Sequence, residues 1–363
     1  MNMKLFFTTL TTLFLFCANA MADGTKSKLP LADPYVLLDG DTYYAYGTHA
    51  ANGIEVWTSD DLYVWEKKGL ALDKANTTED RWFWAPEVYH KNGKYYMYYS
   101  ANEHLYVATS DSPLGPFTQE GTYQMNDVLG DEKCIDSHVF FDDDDKAYLF
   151  FVRFTDGNCI WMCELEDDYM TPKASTLKKC INVTLSWENL LGRVCEGPFM
   201  VKRGNKYFLT YSANDYNSQD YAVGCATATS LSEPQWQKYL NPVLRRVEDL
   251  VGTGHHTIFT DKEGKLRIAF HAHNSQTAVH DRLTYIGTMQ FTGKGNRQTL
   301  KMTNDPIIRP ITKDDVTADI ENIGTDFSEK EEYYTISGQR VNNPGKGLFI
   351  VSRNGEKKKV LRR

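Results

Sequence analysis

The chain has 363 residues, of which 41% are hydrophobic and 13% aromatic, enough apolar material for one large core rich in strands. Its formal net charge of −8 argues against a phosphate backbone or an anionic membrane as its natural partner. The sequence has no phosphate loop, dinucleotide-binding fingerprint or serine elbow, so nucleotide cofactors and covalent serine chemistry have no support.

Residues 1–22 have the pattern of a secretory signal peptide. Lys4 precedes the apolar run LFFTTLTTLFLFCANA, and the small residues Ala20 and Ala22 end it. The run is too short for a spanning helix, and a buried N-terminal strand is the alternative. We therefore expect export to the periplasm, the cell surface or the medium. Six cysteines follow, an even number that permits disulfides but does not require them.

From about residue 31 to 310, short aromatic strands alternate with Gly, Asn or Asp turns. Five hairpin cores recur, with the sequences LLDGDTYYAY, YHKNGKYYMYY, FFDDDDKAYLFF, VKRGNKYFLTY and FTDKEGKLRIAF. A second hairpin follows in each unit, giving four strands per unit at spacings of about fifty to sixty residues. The pattern predicts an all-β, five-bladed β-propeller over residues 29–312, with a β-sandwich as the alternative.

Acidic and imidazole side chains recur at one distance before these hairpins. Counting back ten residues from the lysine that is expected to open the second strand reaches Asp136, Glu196 and His255. In the first hairpin the second strand is expected to open at Thr42, and counting back nine residues from Thr42 reaches Asp33. Equivalent positions on several blades would point at the propeller axis, where paired carboxylates can act as acid and base.

The second blade contains two further conspicuous residues. Trp84 lies ten residues before Lys94, the same distance as in the other blades, which predicts that it forms a wall of the axial pocket. Glu87 lies three residues later, so it should face the opposite side of the strand and be structural. His271, His273 and His280 could suggest zinc, but no acid that could complete the site follows at an evident spacing.

The composition changes beyond residue 312. Residues 313–330 are polar and acidic and are predicted to form a linker. Residues 331–363 form a few strand-sized pieces with a basic end. They are either a small β-rich appendage or, by resemblance to the C-terminal segments of exported bacterial proteins, a sorting signal. Neither interpretation gives this tail any chemistry.

Five short motifs, one on each blade, resemble glycoside hydrolase family 43 in order and spacing. They are ADP (Ala32–Pro34), WAPE (Trp84–Glu87), ID (Ile135–Asp136), EGP (Glu196–Pro198) and GTGH (Gly252–His255). The resemblance spans about residues 29–310. It implies an inverting glycosidase that binds an oligo- or polysaccharide and no nucleic acid. The first Asp lacks the Asn-Asp-Pro-Asn context of related retaining families, which favours inversion.

The resemblance also implies roles for individual residues. Asp33 would be the general base, Glu196 the general acid, and Asp136 the group that orients the acid and raises its pKa. His255 would bind one calcium or sodium ion in the central channel, directly or through water, and no organic cofactor is implied. Arg282 on the last blade would meet a sugar hydroxyl.

The leading functional hypothesis is an exported, monomeric α-L-arabinofuranosidase that acts on the side chains of plant polysaccharides. A β-xylosidase, a β-galactofuranosidase or an endo-arabinanase would use the same three acids. A carbohydrate-binding propeller without catalysis is the alternative from another class. It would require the loss of an acid, whereas all three acids are present.

Overall fold

The computed structural model describes residues 26–119, 126–130, 132–316, 332–335, 340–341, 347–353 and 356–362. The predicted signal peptide, residues 1–22, lies outside the described residues, and so does most of the predicted linker, residues 313–330. Among the helices that are described, none combines the length and hydrophobicity that a membrane span requires.

Five antiparallel sheets, each made of four consecutive strands, form the first compact unit, which ends at Thr312. The strands are, blade by blade, β1 (Ala32–Asp39), β2 (Thr42–Thr48), β3 (Gly53–Ser59) and β4 (Val64–Asp73); β5 (Trp84–Lys91), β6 (Lys94–Ala101), β7 (His104–Ser110) and β8 (Thr118–Gln119); β9 (Cys134–Phe141), β10 (Ala147–Arg153), β11 (Cys159–Glu164) and β12 (Lys178–Ile181); β13 (Cys195–Arg203), β14 (Lys206–Ala213), β15 (Ala222–Ala228) and β16 (Gln237–Lys238); β17 (Gly254–Thr260), β18 (Leu266–Ala272), β19 (Leu283–Thr292) and β20 (Thr299–Met302). The predicted five-bladed β-propeller is confirmed.

Helical elements are short and lie between the strands. They are the helix α1 (Asn126–Leu129), the 3₁₀ turns Lys74–Asn76, Ala174–Thr176, Ser186–Asn189 and Gly295–Arg297, and a helical turn over residues 313–316.

Each blade buries both of its faces against the neighbouring blades. The middle strands β10 and β15 are therefore buried along their whole length and have continuous apolar sequences in place of an alternating pattern. The hydrophobic clusters accordingly lie between adjacent sheets, for example between the third and fourth blades. The six cysteines from Cys134 to Cys225 are free thiols, and five of them are buried in these layers.

The first strands of the blades contact one another in a closed ring, from β1 through β5, β9, β13 and β17 back to β1. A short strand, β21 (Ile311–Thr312), pairs in parallel with β4 at the outer edge of the first blade. The main-chain N–H of Ile311 donates to the carbonyl of Tyr63 at 2.8 Å. The end of the propeller sequence is thereby tied to its first blade.

Every first strand has a register shift at the same height, where a bulge interrupts its pairing with the second strand. The first residue of each bulge has a positive φ, and these residues are Asp33 (50°), Ala85 (43°), Asp136 (57°), Gly197 (51°) and His255 (41°). In three blades the next residue is a proline, which has no N–H to lose at this break in the ladder.

The bulges correct the register inferred from the sequence. Asp33, Asp136 and His255 occupy the first bulge position, whereas Glu196 lies one residue earlier and is equivalent to Trp84. The common count of ten was misleading because the hairpin turns differ in length. Two residues separate the paired strands in the fourth blade, but five do so in the third and fifth blades.

A second compact unit extends from Lys313 to Arg363. Its described strands are β22 (Glu332–Tyr334), β23 (Arg340–Val341), β24 (Gly347–Arg353) and β25 (Glu356–Arg362). They form one antiparallel sheet in the order β23-β22-β24-β25. The C-terminal segment is therefore β-rich, as the sequence predicts.

We predict that Ile311→Pro destabilises the propeller, because proline cannot donate the hydrogen bond to Tyr63. Loss of one such bond costs about 1 kcal/mol, so the Tm should fall by roughly 2–4 °C or more. Ile311→Val keeps the N–H and should leave the Tm near that of the wild type. Differential scanning calorimetry of the full chain measures the Tm of both variants. An unchanged Tm for Ile311→Pro would contradict a stabilising role for the hydrogen bond between Ile311 and Tyr63.

Candidate active site

A cavity of about 500 Å³ contains the predicted site residues. Its wall includes all six of them, namely Asp33, Trp84, Asp136, Glu196, His255 and Arg282. The three acids and His255 belong to the first strands of four blades, at or beside the bulges. The bulges therefore determine where these side chains lie.

The N–H of each first bulge residue is bound by a side chain from another blade. In four of the five blades this partner lies on the second strand of the preceding blade. There it pairs with the residue that comes just before the bulge of the preceding blade. These pairs are Asp33 N to His271 Nδ1 (3.1 Å), Ala85 N to Thr48 Oγ1 (2.9 Å), Asp136 N to Ser100 Oγ (3.0 Å) and His255 N to Ser212 Oγ (2.7 Å).

The fourth blade is the exception, and it positions Asp136. The equivalent partner would be Val152, which pairs with Ile135 and has no acceptor in its side chain. The N–H of Gly197 instead donates to Oδ2 of Asp136 at 3.1 Å. Because Gly197 directly follows Glu196, this bond holds the Asp136 carboxylate beside the Glu196 strand. A Cβ at Gly197 would lie 3.1 Å from the His255 ring, closer than an ordinary contact, so glycine allows the two strands to approach without displacing His255.

Asp33 is buried but surrounded by groups that favour its ionised form. Its Oδ1 lies 2.9 Å from Arg282 Nη1 and 3.3 Å from His255 Nδ1. Burial alone would raise the pKa of Asp33, but the positive charges of Arg282 and His255 outweigh it and hold the pKa well below its usual value. Asp33 is therefore a carboxylate at every pH near neutrality.

Glu196 has the opposite electrostatic environment. Its Oε1 accepts a hydrogen bond from Tyr221 at 2.7 Å and its Oε2 one from Asn158 at 3.0 Å. Burial, followed by the negative charge of Asp136, raises the pKa of Glu196 to about 7. Glu196 can therefore carry a proton at mildly acidic pH while Asp33 in the same cavity is ionised.

His255 connects the two aspartates. Its Nδ1 lies 3.3 Å from Oδ1 of Asp33 and 4.0 Å from Oδ2 of Asp136. Burial lowers the pKa of His255, but the nearby carboxylates, Asp33 first, outweigh this effect and raise the pKa above its usual value. Burial also raises the pKa of Asp136, an effect that His255 opposes and the charge of Asp33 strengthens.

A second, much smaller cavity of about 10 Å³ lies beside the same residues and has room for roughly one water molecule. Its lining includes Ser137, His255 and His256, and the buried Ser137 Oγ and His256 Nδ1 have no hydrogen-bond partner. These polar atoms suit a single bound water molecule. No group of three or more His, Cys, Asp or Glu side chains within the described ranges is arranged to hold a metal ion, so a cation would depend on His255 and water.

Trp84 and Arg282 form parts of the wall. Trp84 stacks on Trp82, with ring centroids 5.6 Å apart and an interplanar angle of 14°. Arg282 reaches Asp33, and its guanidinium carbon lies 4.6 Å from the ring centroid of Tyr216. Arg282 is thus a direct charge partner of Asp33, in addition to its predicted role in binding a sugar hydroxyl.

Glu87 is absent from the wall of the main cavity. Its Oε2 lies 2.9 Å from Nδ1 of His138 and accepts a hydrogen bond from Tyr89. His138 Nε2 in turn accepts the N–H of Met200 at 2.9 Å. Glu87 thereby ties together the first strands of three blades, in agreement with the structural role inferred from the sequence.

Three further residues contact the acids, namely His271, Tyr221 and Asn158. The sequence suggests His271 only as a zinc ligand, although its pairing opposite Gly254 in the fifth hairpin places it near the bulge. Burial, together with Arg282, lowers the pKa of His271 to about 3, so it is neutral. Tyr221 and Asn158 lie outside the five motifs, and no spacing signal identified them as partners of Glu196.

The geometry can perform general acid and base catalysis on one bond. Asp33 is suited to accept a proton from water, and Glu196 to donate one to a leaving group. Two carboxyl groups whose environments push their pKa values apart are the usual mark of such a division of labour.

Comparison with known proteins gives one family. The family model for Glycosyl hydrolases family 43 matches residues 28–296. The crystal structure of an Endo-1,4-beta-xylanase from Bacteroides thetaiotaomicron is similar with a TM-score of 0.73 and 42% sequence identity. This similarity covers 78% of the chain and 97% of that structure.

Two named relatives are more distant. The Beta-D-galactofuranosidase xynD of Aspergillus niger is 27% identical over 313 residues, which are 77% of this chain and 86% of the relative. The Extracellular exo-alpha-(1->5)-L-arabinofuranosidase ArbA of Cellvibrio japonicus is 25% identical over 228 residues, which are 55% of this chain and 63% of the relative. The names describe three different specificities.

We predict that Asp136→Asn moves the alkaline limb of the pH profile of kcat/KM to lower pH. The negative charge of Asp136 helps to raise the pKa of Glu196. Without that charge the acid loses its proton at a lower pH, so activity falls earlier as the pH rises. Asp215→Asn also removes a carboxylate from the cavity wall and serves as the control, which should keep the wild-type limb. A limb that stays in place or moves upward in Asp136→Asn would contradict the assignment.

Proposed function

The chain belongs to glycosyl hydrolases family 43, and from this membership we propose that it is an inverting α-L-arabinofuranosidase acting on plant polysaccharide side chains. One observation carries the proposal. In a single cavity an aspartate is held ionised, while a glutamate has its pKa raised to about 7. An inverting glycosidase needs this pair of carboxyl groups.

Asp33 acts as the general base in the proposed reaction. It takes a proton from a water molecule, whose oxygen attacks the anomeric carbon as the glycosidic bond breaks. Arg282 and His255 keep Asp33 ionised between turnovers, and the bulge holds its carboxylate in place. Room for the water requires a separation of roughly 6.5–9.5 Å between base and acid, which gives inversion in one displacement.

Glu196 acts as the general acid and protonates the departing oxygen. Asn158 and Tyr221 orient its carboxyl group, and Asp136 keeps its pKa high. Trp84 forms the apolar wall for the sugar, and Arg282 meets a sugar hydroxyl in addition to pairing with Asp33. After turnover, Glu196 is reprotonated and Asp33 gives up its proton to solvent.

A cation in the central channel is part of the proposal. His255, with its imidazole neutral, would hold one calcium or sodium ion directly or through water, and the charge of the ion would then take the place of the imidazolium charge beside Asp33. Such an ion would supply positive charge close to Asp33 and Asp136 and would order water. The residues named above perform the proton transfers themselves.

The exo-acting arabinofuranosidase among the relatives favours the arabinofuranosyl group as the sugar released. The xylanase structure at 42% identity favours a second candidate, hydrolysis of β-linked xylosyl units by the same acids. The galactofuranosidase makes a furanosyl ring of another sugar a third choice. Export through the signal peptide and a monomeric state complete the proposal.

The substrate is tested by a screen of 4-nitrophenyl α-L-arabinofuranoside, β-D-xyloside and β-D-galactofuranoside, followed by arabinan and arabinoxylan. Release from the arabinofuranoside at the highest kcat/KM supports the proposal. A higher value on the xyloside would select the second candidate. Binding of these polysaccharides without any hydrolysis would indicate the non-catalytic propeller instead.

We predict that Asp33→Asn and Glu196→Gln each lower kcat by roughly 10²–10⁴-fold or more, because each removes one proton transfer from the displacement. Both changes keep side-chain shape, so circular dichroism should remain that of the wild type. Glu196→Gln should also keep the Tm, whereas Asp33→Asn should lower it because Arg282 and His255 lose their charge partner. Glu87→Gln is the matched control, since Glu87 is a buried acid outside the main cavity. A loss in Glu87→Gln equal to that in Glu196→Gln, with folding intact, would contradict the assignment.

We predict that removal of the cation has a modest effect. The protein would be treated with a chelator and exchanged into a buffer free of calcium and sodium. A small fall in Tm and in kcat/KM is expected, because the ion would order the channel and take no part in bond cleavage. A loss as large as that caused by Glu196→Gln would instead indicate a direct catalytic ion.

A further inference from the structure

His49 lies at the wall of the main cavity, on the first blade. It directly follows β2, whose last residue, Thr48, lines the same cavity and holds the N–H of Ala85. The His49 side chain is 34% exposed, so it can meet a bound molecule. None of the proton transfers described above involves this histidine.

A buried carboxylate, that of Glu55 on β3, holds His49 in place. Glu55 is only 5% exposed. Its Oε2 lies 3.0 Å from Nδ1 of His49 and accepts a hydrogen bond from Trp57 Nε1 at 3.3 Å. Its Oε1 pairs with Nζ of Lys67. An unpaired charge away from water would be costly, so these partners allow Glu55 to be buried beside the cavity.

The charge of Glu55 determines which nitrogen of His49 can meet a ligand. Burial raises the pKa of Glu55, but the hydrogen bonds from His49 and Lys67 outweigh burial and lower the pKa to about 2. An ionised carboxylate only accepts hydrogen bonds, so Nδ1 of His49 carries a hydrogen whether the ring is neutral or charged. Nε2 has no hydrogen-bond partner within the described part of the chain. It is therefore the atom that changes from donor to acceptor when His49 loses its proton.

Three charged side chains act on His49, from three different elements. The hydrogen bond with Glu55 of β3 raises the pKa of His49 above its usual value. Burial and the positive charge of Lys67 on β4 oppose this effect, and the negative charge of Asp281, in the segment before β19, strengthens it. The imidazolium form of His49 therefore persists to a higher pH than it would for a histidine in water.

Asp281 also lies on the cavity wall, directly before Arg282. Among the described residues, its carboxylate has no hydrogen-bond or ion-pair partner. The wall thus offers a donor, Nε2 of protonated His49, on the first blade and an acceptor on the last blade. A hydroxyl group both accepts and donates, so a sugar suits such a wall. A few polar groups in a cavity are what orients a small ligand and gives specificity.

We propose that His49, positioned by Glu55, binds a hydroxyl group of the substrate in its imidazolium form, so that sugar affinity depends on a proton that the three acids do not carry. The inference rests on the proposed function for the class of ligand, a sugar. A charged Nε2–H donates a stronger hydrogen bond than a neutral imidazole can make. Affinity is therefore highest below the pKa of His49 and falls as the pH rises through it. Glu55 acts only through His49 and is a positioning residue.

Binding to a catalytically silent protein tests this inference. In a Glu196→Gln background, which removes the titration of the acid, calorimetry would measure the dissociation constants of α-1,5-arabinobiose and β-1,4-xylobiose from about pH 5.5 to about pH 8.5. The second variants would be His49→Gln, Glu55→Gln and His90→Gln. His90 is the matched control, because its Nδ1 also lies beside a carboxylate, 3.4 Å from Oδ1 of Asp39, but outside the cavity wall.

In the Glu196→Gln protein the dissociation constant should rise roughly fivefold as His49 loses its proton. His49→Gln should abolish this rise, and His90→Gln should leave it unchanged. Glu55→Gln should move the rise to lower pH, because His49 loses the carboxylate that raises its pKa.

A constant affinity in the Glu196→Gln protein, a rise that persists in His49→Gln, an unmoved midpoint in Glu55→Gln, or no binding of either sugar would overturn the inference. If Glu55→Gln does not fold, the result for His49→Gln decides alone. The proposed function fails separately, if the wild type hydrolyses none of the glycosides in the screen. The binding comparison can be read even then.

Discussion

The first strand of each blade has a bulge, at which its pairing with the second strand is interrupted. The main-chain N–H at the bulge therefore needs a hydrogen-bond partner that its own sheet does not supply. The preceding blade supplies it in four cases, through Thr48, Ser100, Ser212 and His271. Positive φ angles at non-glycine residues cost about 1–2 kcal/mol each and persist only where the surroundings enforce them. Because each bulge is held by the neighbouring blade, the closed ring of blades also determines where the side chains of the site lie.

The one blade that lacks such a partner is the fourth, which carries Glu196. Val152 cannot bind the N–H of Gly197, and the carboxylate of Asp136 takes its place. A structural requirement of the bulge thus brings a negative charge close to Glu196, where burial and that charge raise its pKa to about 7. Asp33 occupies an equivalent bulge but faces Arg282 and His255, so the same architecture lowers its pKa. Burial raises the pKa of both acids, and the different charges beside them separate the base from the proton donor.

The sequence predicts the fold because hairpin signals, aromatic strands and repeat length all agree on five blades. It also predicts which acids share the main cavity, since Asp33, Asp136 and Glu196 lie near the start of the first strands of their blades. The register was partly wrong, because turn length cannot be read from the position of a lysine. Lys146 and Lys265 lie in longer turns, whereas Lys206 begins its strand. Contacts made across blades, such as those of Tyr221 and Asn158 with Glu196, leave no periodic trace in the sequence and require the structure.

In the proposed mechanism Asp33 activates water while Glu196 protonates the leaving group in a single displacement. Proton NMR of the first product formed from an arabinofuranoside or xyloside substrate, recorded before mutarotation, tests this mechanism. The anomeric configuration of the released sugar should be inverted relative to the substrate. A product with retained configuration would make Asp33 a nucleophile and contradict the mechanism.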